Sequence, residues 1–330
     1  MSIKILVAGG ASFIGSEFTR QAIEKGYKTI VVDKMTYAGD TGRLESVKAK
    51  IKFYKQDICD KTKIVSTFKK EKPQIVINFA AESHVDRSIL GSDEFIRTNV
   101  CGTQVLLDAA RASNVEKFIH ISTDEVYGEI DVGQFYETTS LNPSSPYSAS
   151  KASADLFIKS YIRTFKLPAI IVRPSNNYGP WQYPEKFIPM AIYKALNNEK
   201  IPIYGQGVNV REWLYVSDCI DALWVILEKG QLGHIYNVGS GSERKNIEVA
   251  QAILAMLEKP SKLISFIEDR RGHDLRYSVD SGKIKNELGW HPSINFETGL
   301  AKTIAWYKDN YKWLDRKAKF LKSYWKKIYK

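Results

Sequence analysis

The stretch Ile3-Lys4-Ile5-Leu6-Val7-Ala8-Gly9-Gly10-Ala11-Ser12-Phe13-Ile14-Gly15 decides the fold. A short apolar run ends on a glycine pair, and a helical pattern follows at once, with Ile14, Phe18 and Ala22 on one face and Gly26 as a stop. A strand that turns through glycines into a helix points backbone N–H groups and the positive helix end at one spot, which suits a pyrophosphate. Gly9 permits the tight turn, and Gly15 lets the helix approach the strand closely. Asp33 ends the second apolar run. There a carboxylate accepts hydrogen bonds from adenosine ribose hydroxyls and repels a 2′-phosphate, which favours NAD over NADP. The neighbouring Lys34 leaves an opening for NADP.

Working outward, the same alternation continues. Apolar runs at 51–57, 74–80, 117–123 and 169–175 read as further strands, and helical patterns fill 61–72, 93–113 and 147–166. Most of the strand runs lack polar alternation, as parallel strands covered on both faces do. The fold expected is α/β, a Rossmann-like doubly wound parallel sheet over residues 1–175, with a segment near 207–236 returning to it. Beyond 175, stretches rich in Asn, Tyr, Pro and Gly at 176–189 and 202–211 precede helical patterns at 217–228, 246–257 and 281–288. Residues 176–330 therefore read mainly as a smaller α/β substrate-binding lobe, with ligand in the cleft between the two.

Bulk properties narrow the classes. A chain of 330 residues with 44% hydrophobic and 26% charged content suits a soluble globular protein. No apolar stretch is long enough for a signal or a span, and Cys59, Cys101 and Cys219 show no metal-ligand spacing. The expectation is a cytoplasmic protein with reduced thiols and no metal site. Of the net charge of +11, residues 313–330 hold a net +6, from Arg316, Lys317, Lys319, Lys322, Lys326, Lys327 and Lys330 against Asp315. Trp313, Leu314, Phe320, Leu321, Trp325 and Ile328 interleave with them. Such a pattern suits either a basic amphipathic binder of membranes or nucleic acid, or a terminal helix with a solvated face and its aromatics on the body. The second reading is preferred, with no nucleic-acid partner; the remaining positive excess suits an anionic substrate.

Two constellations carry chemistry. Residues 121–128 read ISTDEVYG, which places Thr123, Asp124 and Glu125 side by side at the C-terminal end of the fifth strand, the ligand-binding edge of open α/β sheets. Consecutive strand residues point to opposite faces, so both carboxylates reach one substrate only beyond the regular strand. Adjacent carboxylates in a partly desolvated site hold one proton more tightly, giving an acid and a base together. Tyr147 and Lys151 lie four apart on a helix, sharing a face, and the ammonium is expected to lower the phenol's pKa. A phenol base beside a hydride carrier suffices for oxidation of a sugar alcohol. The extra carboxylates point to an elimination coupled to it.

Almost end to end, the chain resembles the nucleotide-sugar 4,6-dehydratases of the extended short-chain dehydrogenase/reductase family. The stretches that carry the resemblance are DKMTYAG at 33–39, NFAAESHVDRSI at 78–89, STDEVYG at 122–128, YSASK at 147–151, SNNYGPWQYPEKFIP at 175–189, YGQGVNVREWLYVSD at 204–218 and GHDLRY at 272–277. The Thr-Asp-Glu run is the specific part, since sibling epimerases and decarboxylases lack it in full.

The resemblance implies catalytic roles for Thr123, Asp124, Glu125, Tyr147 and Lys151, and a bound NAD regenerated at each turnover. It implies cofactor contacts by Gly9, Ser12, Phe13, Ile14, Gly15, Asp33, Lys34, Asp57, Ile58, Ala80 and Asn99, and by Tyr147 and Lys151. Substrate contacts carry over to Ser83, His84, Asn177, Lys186, Phe187, Pro202, Tyr204, Arg211, Asn246, Arg270 and His273. The implied substrate is a nucleoside diphosphate sugar, dTDP-glucose before UDP- or CDP-glucose, in deoxysugar biosynthesis, and the implied assembly is a homodimer. The other readings are an epimerase or decarboxylase on the same scaffold and a catalytically silent NAD-binding scaffold. One departure stands out: Ser12 occupies a position where the family usually has glycine, and its side chain is expected to weaken or slow NAD retention.

Overall fold

The computed structural model describes residues 2–329, so Lys330 of the basic tail lies outside the described residues. From the N-terminal side the chain forms β1 (Lys4–Ala8), α1 (Phe13–Glu24), β2 (Lys28–Asp33), β3 (Lys52–Lys55), α2 (Lys61–Glu71) and β4 (Ile75–Asn78). The helices α3 (Val85–Leu90), α4 (Asp93–Phe95) and α5 (Thr103–Ala112) follow, then β5 (Lys117–Ile121), α6 (Pro146–Phe165) and β6 (Ala169–Pro174). The single helical pattern read over 93–113 is interrupted between α4 and α5 by a π-helical segment, Ile96–Gly102.

Six of these strands join β10 (Ile235–Val238) in a seven-stranded sheet of order β10-β6-β5-β4-β1-β2-β3. Every pairing in it is parallel. The chain leaves β1 toward β2 and β3, then crosses back to lay β4 on the other side of β1. That reversal opens a crevice at the C-terminal strand ends. Both faces are covered, which explains the near-continuous apolar runs. Ile5 and Val7 of β1 pack with Phe18 and Trp224, whereas Leu6 and Ala8 pack with Phe68 and Leu106 on the opposite side.

The second half supplies β7 (Asn176–Tyr178), α7 (Phe187–Leu196), β8 (Ile201–Tyr204), β9 (Val210–Tyr215) and α8 (Val216–Lys229) before β10. After it come β11 (Glu243–Lys245), α9 (Asn246–Met256), β12 (Ile264–Ile267), α10 (Gly282–Leu288), α11 (Phe296–Asp309) and α12 (Tyr311–Ile328). Cys219, Leu223 and Trp224 of α8 and Ile284 and Leu288 of α10 pack on the large sheet, so the chain returns to it well beyond residue 236. The lobe has a three-stranded sheet, β11-β9-β7, and a two-stranded one, β12-β8. Helices α7, α9, α11 and α12 share its core. The loop-rich reading of 176–189 hid the start of α7, because Pro189 lies in its first turn, where proline is tolerated.

Helix α12 buries Trp313, Leu314, Ala318, Leu321 and Trp325 in the lobe core, turns Lys317 inward to pair with Asp40 at 2.8 Å, and leaves its other described lysines outside. The basic tail is thus the outer face of a docked helix. No helix among the described residues is long and apolar enough to cross a membrane.

Candidate active site

The glycine turn is built by contact. Gly9 has φ +74, and a Cβ there would lie 2.6 Å from the backbone nitrogen of Ala80, so only glycine lets the β1–α1 turn approach the chain after β4. Ser12 is the N-cap of α1: its backbone is extended (φ −73, ψ 175), and its Oγ accepts from the Gly15 N–H at 3.2 Å. A side chain at this position therefore meets no backbone strain, and the hydroxyl is engaged with the helix end. Ser12 nonetheless lines the cleft. Phe13 and Ile14, the first two helical residues, have N–H groups without an intrahelical acceptor, as an anion site requires. Gly15 lies behind the turn, where a Cβ would come within 2.3 Å of the Gly9 carbonyl oxygen.

Asp33 ties the second strand end to this turn. Its two oxygens accept from the N–H groups of Ala11 (2.9 Å) and Met35 (2.8 Å), leaving each oxygen further acceptor capacity. Burial raises its pKa, against the pull of those two N–H donors and Arg43. Lys34 pairs with Asp57 at 3.1 Å and Glu94 at 3.5 Å, and Arg97 pairs with the same two carboxylates at 2.8 and 3.5 Å, so the charges of this group balance. Ile58 and Ala80 line the cleft beside it, as does Thr98. Asn99 does not. Its side chain accepts from the N–H of Glu82 (2.9 Å) and donates to the Glu82 carbonyl (2.9 Å) and Ser150 Oγ (2.8 Å), bracing the chain after β4 from behind.

The strand expected over 117–123 ends at Ile121, and that early end makes the catalytic corner possible. Thr123 caps a 3₁₀ turn, Asp124–Tyr127, which takes both carboxylates off the strand and into the cleft. The Thr123 hydroxyl donates to Asp124 Oδ1 (3.0 Å) and accepts from the Glu125 N–H (3.3 Å). Asp124 Oδ2 is buried without a partner. Burial and the neighbouring Glu125 push the Asp124 pKa well above the usual carboxylate range. Glu125 is also raised by burial, but Arg270, Lys186 and Arg211 pull it back. One carboxyl is set up to hold its proton and the other to give it up.

Tyr147 opens α6 behind a Ser145–Ser148 capping box, and Lys151 follows one turn later. Their relation differs from the sequence expectation. Burial and Glu125 raise the Tyr147 phenol, and the Thr123 hydroxyl is the group that pulls it down. The Lys151 ammonium instead donates to the Ile121 carbonyl at 2.6 Å and lies 3.4 Å from His120 Nε2. Burial lowers Lys151 to about 8, with Asp155 opposing. The other ring nitrogen of His120 faces Asn78 Nδ2 at 3.2 Å, and burial holds this imidazole neutral.

Opposite the catalytic turn, the lobe contributes a cationic wall. Lys186 Nζ donates to the Ser83 carbonyl (2.6 Å), and Arg270 lies 3.5 Å from Asp86. Arg211 stacks on Tyr277 at 4.0 Å and donates to the carbonyls of Val210 (2.7 Å) and Asp274 (2.9 Å). His84 touches the Glu185 carbonyl oxygen at 3.1 Å, and burial and Lys186 lower it to about 3. His273 bonds Asp269 at 2.7 Å and meets the Tyr204 ring edge-on. Asn177, Phe187, Pro202 and Asn246 complete this part of the lining.

One cleft therefore gathers every residue singled out from the sequence except Gly15 and Asn99, which stand behind its wall. Its polar capacity is unspent: Thr98 Oγ1, Ser122 Oγ, Ser175 Oγ, Asn177 Oδ1 and Arg270 Nε are buried there without partners. These orphans, the Gly9 cradle and the free N–H groups of α1 fit a dinucleotide and a polar second ligand. The sequence reading passed over His120, Asp86, Glu185, Tyr277 and Tyr329. A histidine inside the apolar run FIHI is the available signal for the first; Asp86, Glu185 and Tyr277 lie within the stretches that carry the resemblance, and Tyr329 is recruited by tertiary contact alone.

Comparison with known proteins agrees with this geometry. The family model described as GDP-mannose 4,6 dehydratase matches residues 6–303. The dTDP-glucose 4,6-dehydratase of Xanthomonas campestris pv. campestris strain B100 is 46% identical over 94% of this chain and 94% of its own. The corresponding enzyme 1 of Escherichia coli K12 is 44% identical over 95% of each. Among solved structures, the dTDP-glucose 4,6-dehydratase of Streptomyces venezuelae, crystallised with NAD, superposes with a TM-score of 0.93 at 43% identity, covering 96% of this chain and all (100%) of that one. The UDP-glucose 4-epimerase of Thermotoga maritima reaches a TM-score of 0.88 at 31% identity, over 94% of this chain and 100% of its own. With glycine turn, acid–base turn and cationic wall in one cleft, and with these relatives covering nearly its whole length, the chain belongs to the GDP-mannose 4,6 dehydratase family.

Proposed function

We propose that the protein converts dTDP-glucose to dTDP-4-keto-6-deoxyglucose as an NAD-dependent 4,6-dehydratase. The observation that carries this reading is the turn at Thr123–Glu125, with two carboxyls in unlike surroundings beside Tyr147. Epimerases share the fold at high TM-score, so the fold alone does not choose between the activities. An interconversion of hydroxyl configuration has no use for a proton-holding Asp124, whereas loss of water needs an acid as well as a base.

The glycine turn, Asp33 and the residues around Ala80 would hold NAD, and the Asp33 carboxylate at the end of β2 disfavours a 2′-phosphate. When bound, NAD supplies the acceptor for the C4 hydride, the donor of the hydride returned to C6, and a positive charge that favours the Tyr147 phenolate. Tyr147 takes the proton of the C4 hydroxyl, with Thr123 holding the C4 oxygen and Lys151 fixed one helical turn away. The C4 ketone so formed acidifies the C5 proton, and Glu125 removes it. Asp124 delivers its proton to the departing C6 hydroxyl, which leaves as water. A proton returned to C5 as hydride reaches C6 completes the 4-keto-6-deoxy sugar. Lys186, Arg211 and Arg270 neutralise the diphosphate.

The packing of α8, β10 and α10 on the large sheet supports a division in which residues 1–175 and these later returns hold the cofactor. The remaining lobe holds the nucleotide sugar. Exposed Ile96, Leu156, Phe157 and Phe165 on the Ile96–Gly102 segment and α6 support a homodimer formed through this face. The reduced cysteines suit the cytoplasm.

The test is mass spectrometry of the purified protein incubated with dTDP-, UDP-, CDP- and GDP-hexoses without added NAD. Loss of one water from dTDP-glucose, in preference to the others, is the expected result. Unchanged masses with NAD supplied would overturn the reading, and a mass-neutral conversion would favour the epimerase.

A further inference from the structure

Below the catalytic corner, two polar residues meet across the large sheet. Asn78 of β4 and His120 of β5 are register partners, on the face that carries Val76 and Phe118 and is covered by α5 and α6. Both are fully buried, as are Thr103 at the start of α5 and, to within 2%, Lys151 on α6. The reaction steps use Lys151 and none of the other three.

The donors of this cluster can be ordered. Asn78 Oδ1 accepts from the Ala80 N–H at 3.1 Å, which settles which end of the amide is oxygen. The Nδ2 end therefore faces Thr103 Oγ1 (3.3 Å) and His120 Nδ1 (3.2 Å), with one N–H for each. With a donor aimed at it, Nδ1 accepts and carries no proton. The ring proton is then on Nε2, 3.4 Å from Lys151 Nζ. Burial and the nearby Lys151 disfavour a doubly protonated ring as well.

An ammonium has donors only, so a protonated Lys151 meets the Nε2–H as donor against donor, and only the amine accepts from it. Other groups pull the opposite way. The Ile121 carbonyl accepts from Nζ at 2.6 Å. The Asp155 carboxylate, one turn along α6 and paired with Arg173 at 2.9 Å, favours the ammonium. The Tyr147 phenol stands one turn back on the same helix.

We propose that His120 is a positioning residue for Lys151: Asn78 locks its ring as the Nε2–H tautomer, and that N–H holds the Lys151 nitrogen against the Ile121 carbonyl and favours the amine over the ammonium. The inference rests on the proposed function only for the catalytic part given to Lys151. Because Asn78 also holds the Ala80 N–H, the chain Ala80–Asn78–His120–Lys151 joins the backbone that meets Gly9 to the catalytic helix.

The first test is nitrogen–proton correlation NMR of the holoenzyme labelled at its five histidines. His120, assigned by its absence in His120→Gln, should show the Nε2–H tautomer, and its signals should shift as Lys151 titrates near pH 8. Lys151→Met should abolish that shift. An Nδ1–H tautomer, a doubly protonated ring at neutral pH, or a shift that is missing or survives Lys151→Met would overturn the proposal. The second test is the pH dependence of kcat in His120→Gln, which keeps a neutral N–H donor, and in His120→Leu, which has none. The ionisation near pH 8 should move up by about one unit in His120→Leu and stay in place in His120→Gln. A merely structural histidine would lower the thermal midpoint of His120→Leu without moving its profile, and that result would overturn the proposal. Should His120→Leu fail to fold, the tautomer and the Lys151→Met comparison still decide. Both are read without turnover, so an enzyme that leaves dTDP-glucose unchanged would count against the function while the role of His120 is still settled.

Discussion

Thr123 Oγ1 donates to Asp124 Oδ1 at 3.0 Å, so the hydroxyl that acts on the Tyr147 phenol also fixes the rotation of the neighbouring carboxyl. The oxygen left over, Asp124 Oδ2, is buried with no partner, and in the proposed reaction it would carry the proton given to the departing hydroxyl. One side chain couples the oxidation half of the site to the elimination half.

Thr123→Val should therefore damage both halves. Removal of a preorganised donor of this type costs roughly 10²–10³-fold in kcat. Thr123→Ser keeps the hydroxyl and should recover most of it. Steady-state kinetics on dTDP-glucose decide this; equal activity in the valine and serine variants would show that the hydroxyl is dispensable.

Ser12 caps α1, and its substitutions should separate stability from cofactor binding. Ser12→Ala leaves the Gly15 N–H without its acceptor and should cost about 1 kcal/mol of stability, while Ser12→Gly costs only a few tenths. NAD content of the purified protein should be the same in Ser12→Gly as in the wild type. A rise in NAD content with glycine would instead show that the Ser12 side chain crowds the cofactor.

Acid sensitivity should trace to His84. Burial lowers its pKa from 6.5 to about 3 in the folded protein. The unfolded chain therefore binds the extra proton between roughly pH 6.5 and pH 3, and stability falls as pH drops through that window. The limiting contribution is of order 5 kcal/mol. His84→Asn should flatten the decline in thermal midpoint between pH 6.5 and pH 4. A variant with the same acid slope as the wild type would place the sensitivity elsewhere.

Much of this was legible along the chain, for physical reasons that also mark where legibility stopped. Strands covered on both faces must be apolar throughout, so β1, β2, β4, β5 and β6 announce themselves, and the glycine turn follows from a φ of +74 at Gly9. The Thr-Asp-Glu run and the spacing of Tyr147 and Lys151 are local. What Lys151 touches is not local: its hydrogen bonds go to Ile121 and His120 on β5, and the expected depression of the phenol by the ammonium gives way to burial and Glu125. Glu185 gathers Tyr37, Arg87 and His84 across 98 to 148 residues of chain, which no spacing rule detects. Helix α7 stayed hidden behind Pro189, and α12 showed its amphipathic pattern without revealing that Tyr329 ends in the cleft.

The division of labour between the two carboxyls is tested most directly by hydrogen exchange at C5 of dTDP-glucose in deuterated water, followed by mass spectrometry with Asp124→Asn and Glu125→Gln. General acid or base removal costs roughly 10²–10⁴-fold, so both variants should form product slowly. The account predicts that Asp124→Asn still exchanges the C5 proton with solvent, because Glu125 remains to remove it, and that Glu125→Gln does not. Exchange in Glu125→Gln, or its loss in Asp124→Asn alone, would reverse the assignment of acid and base.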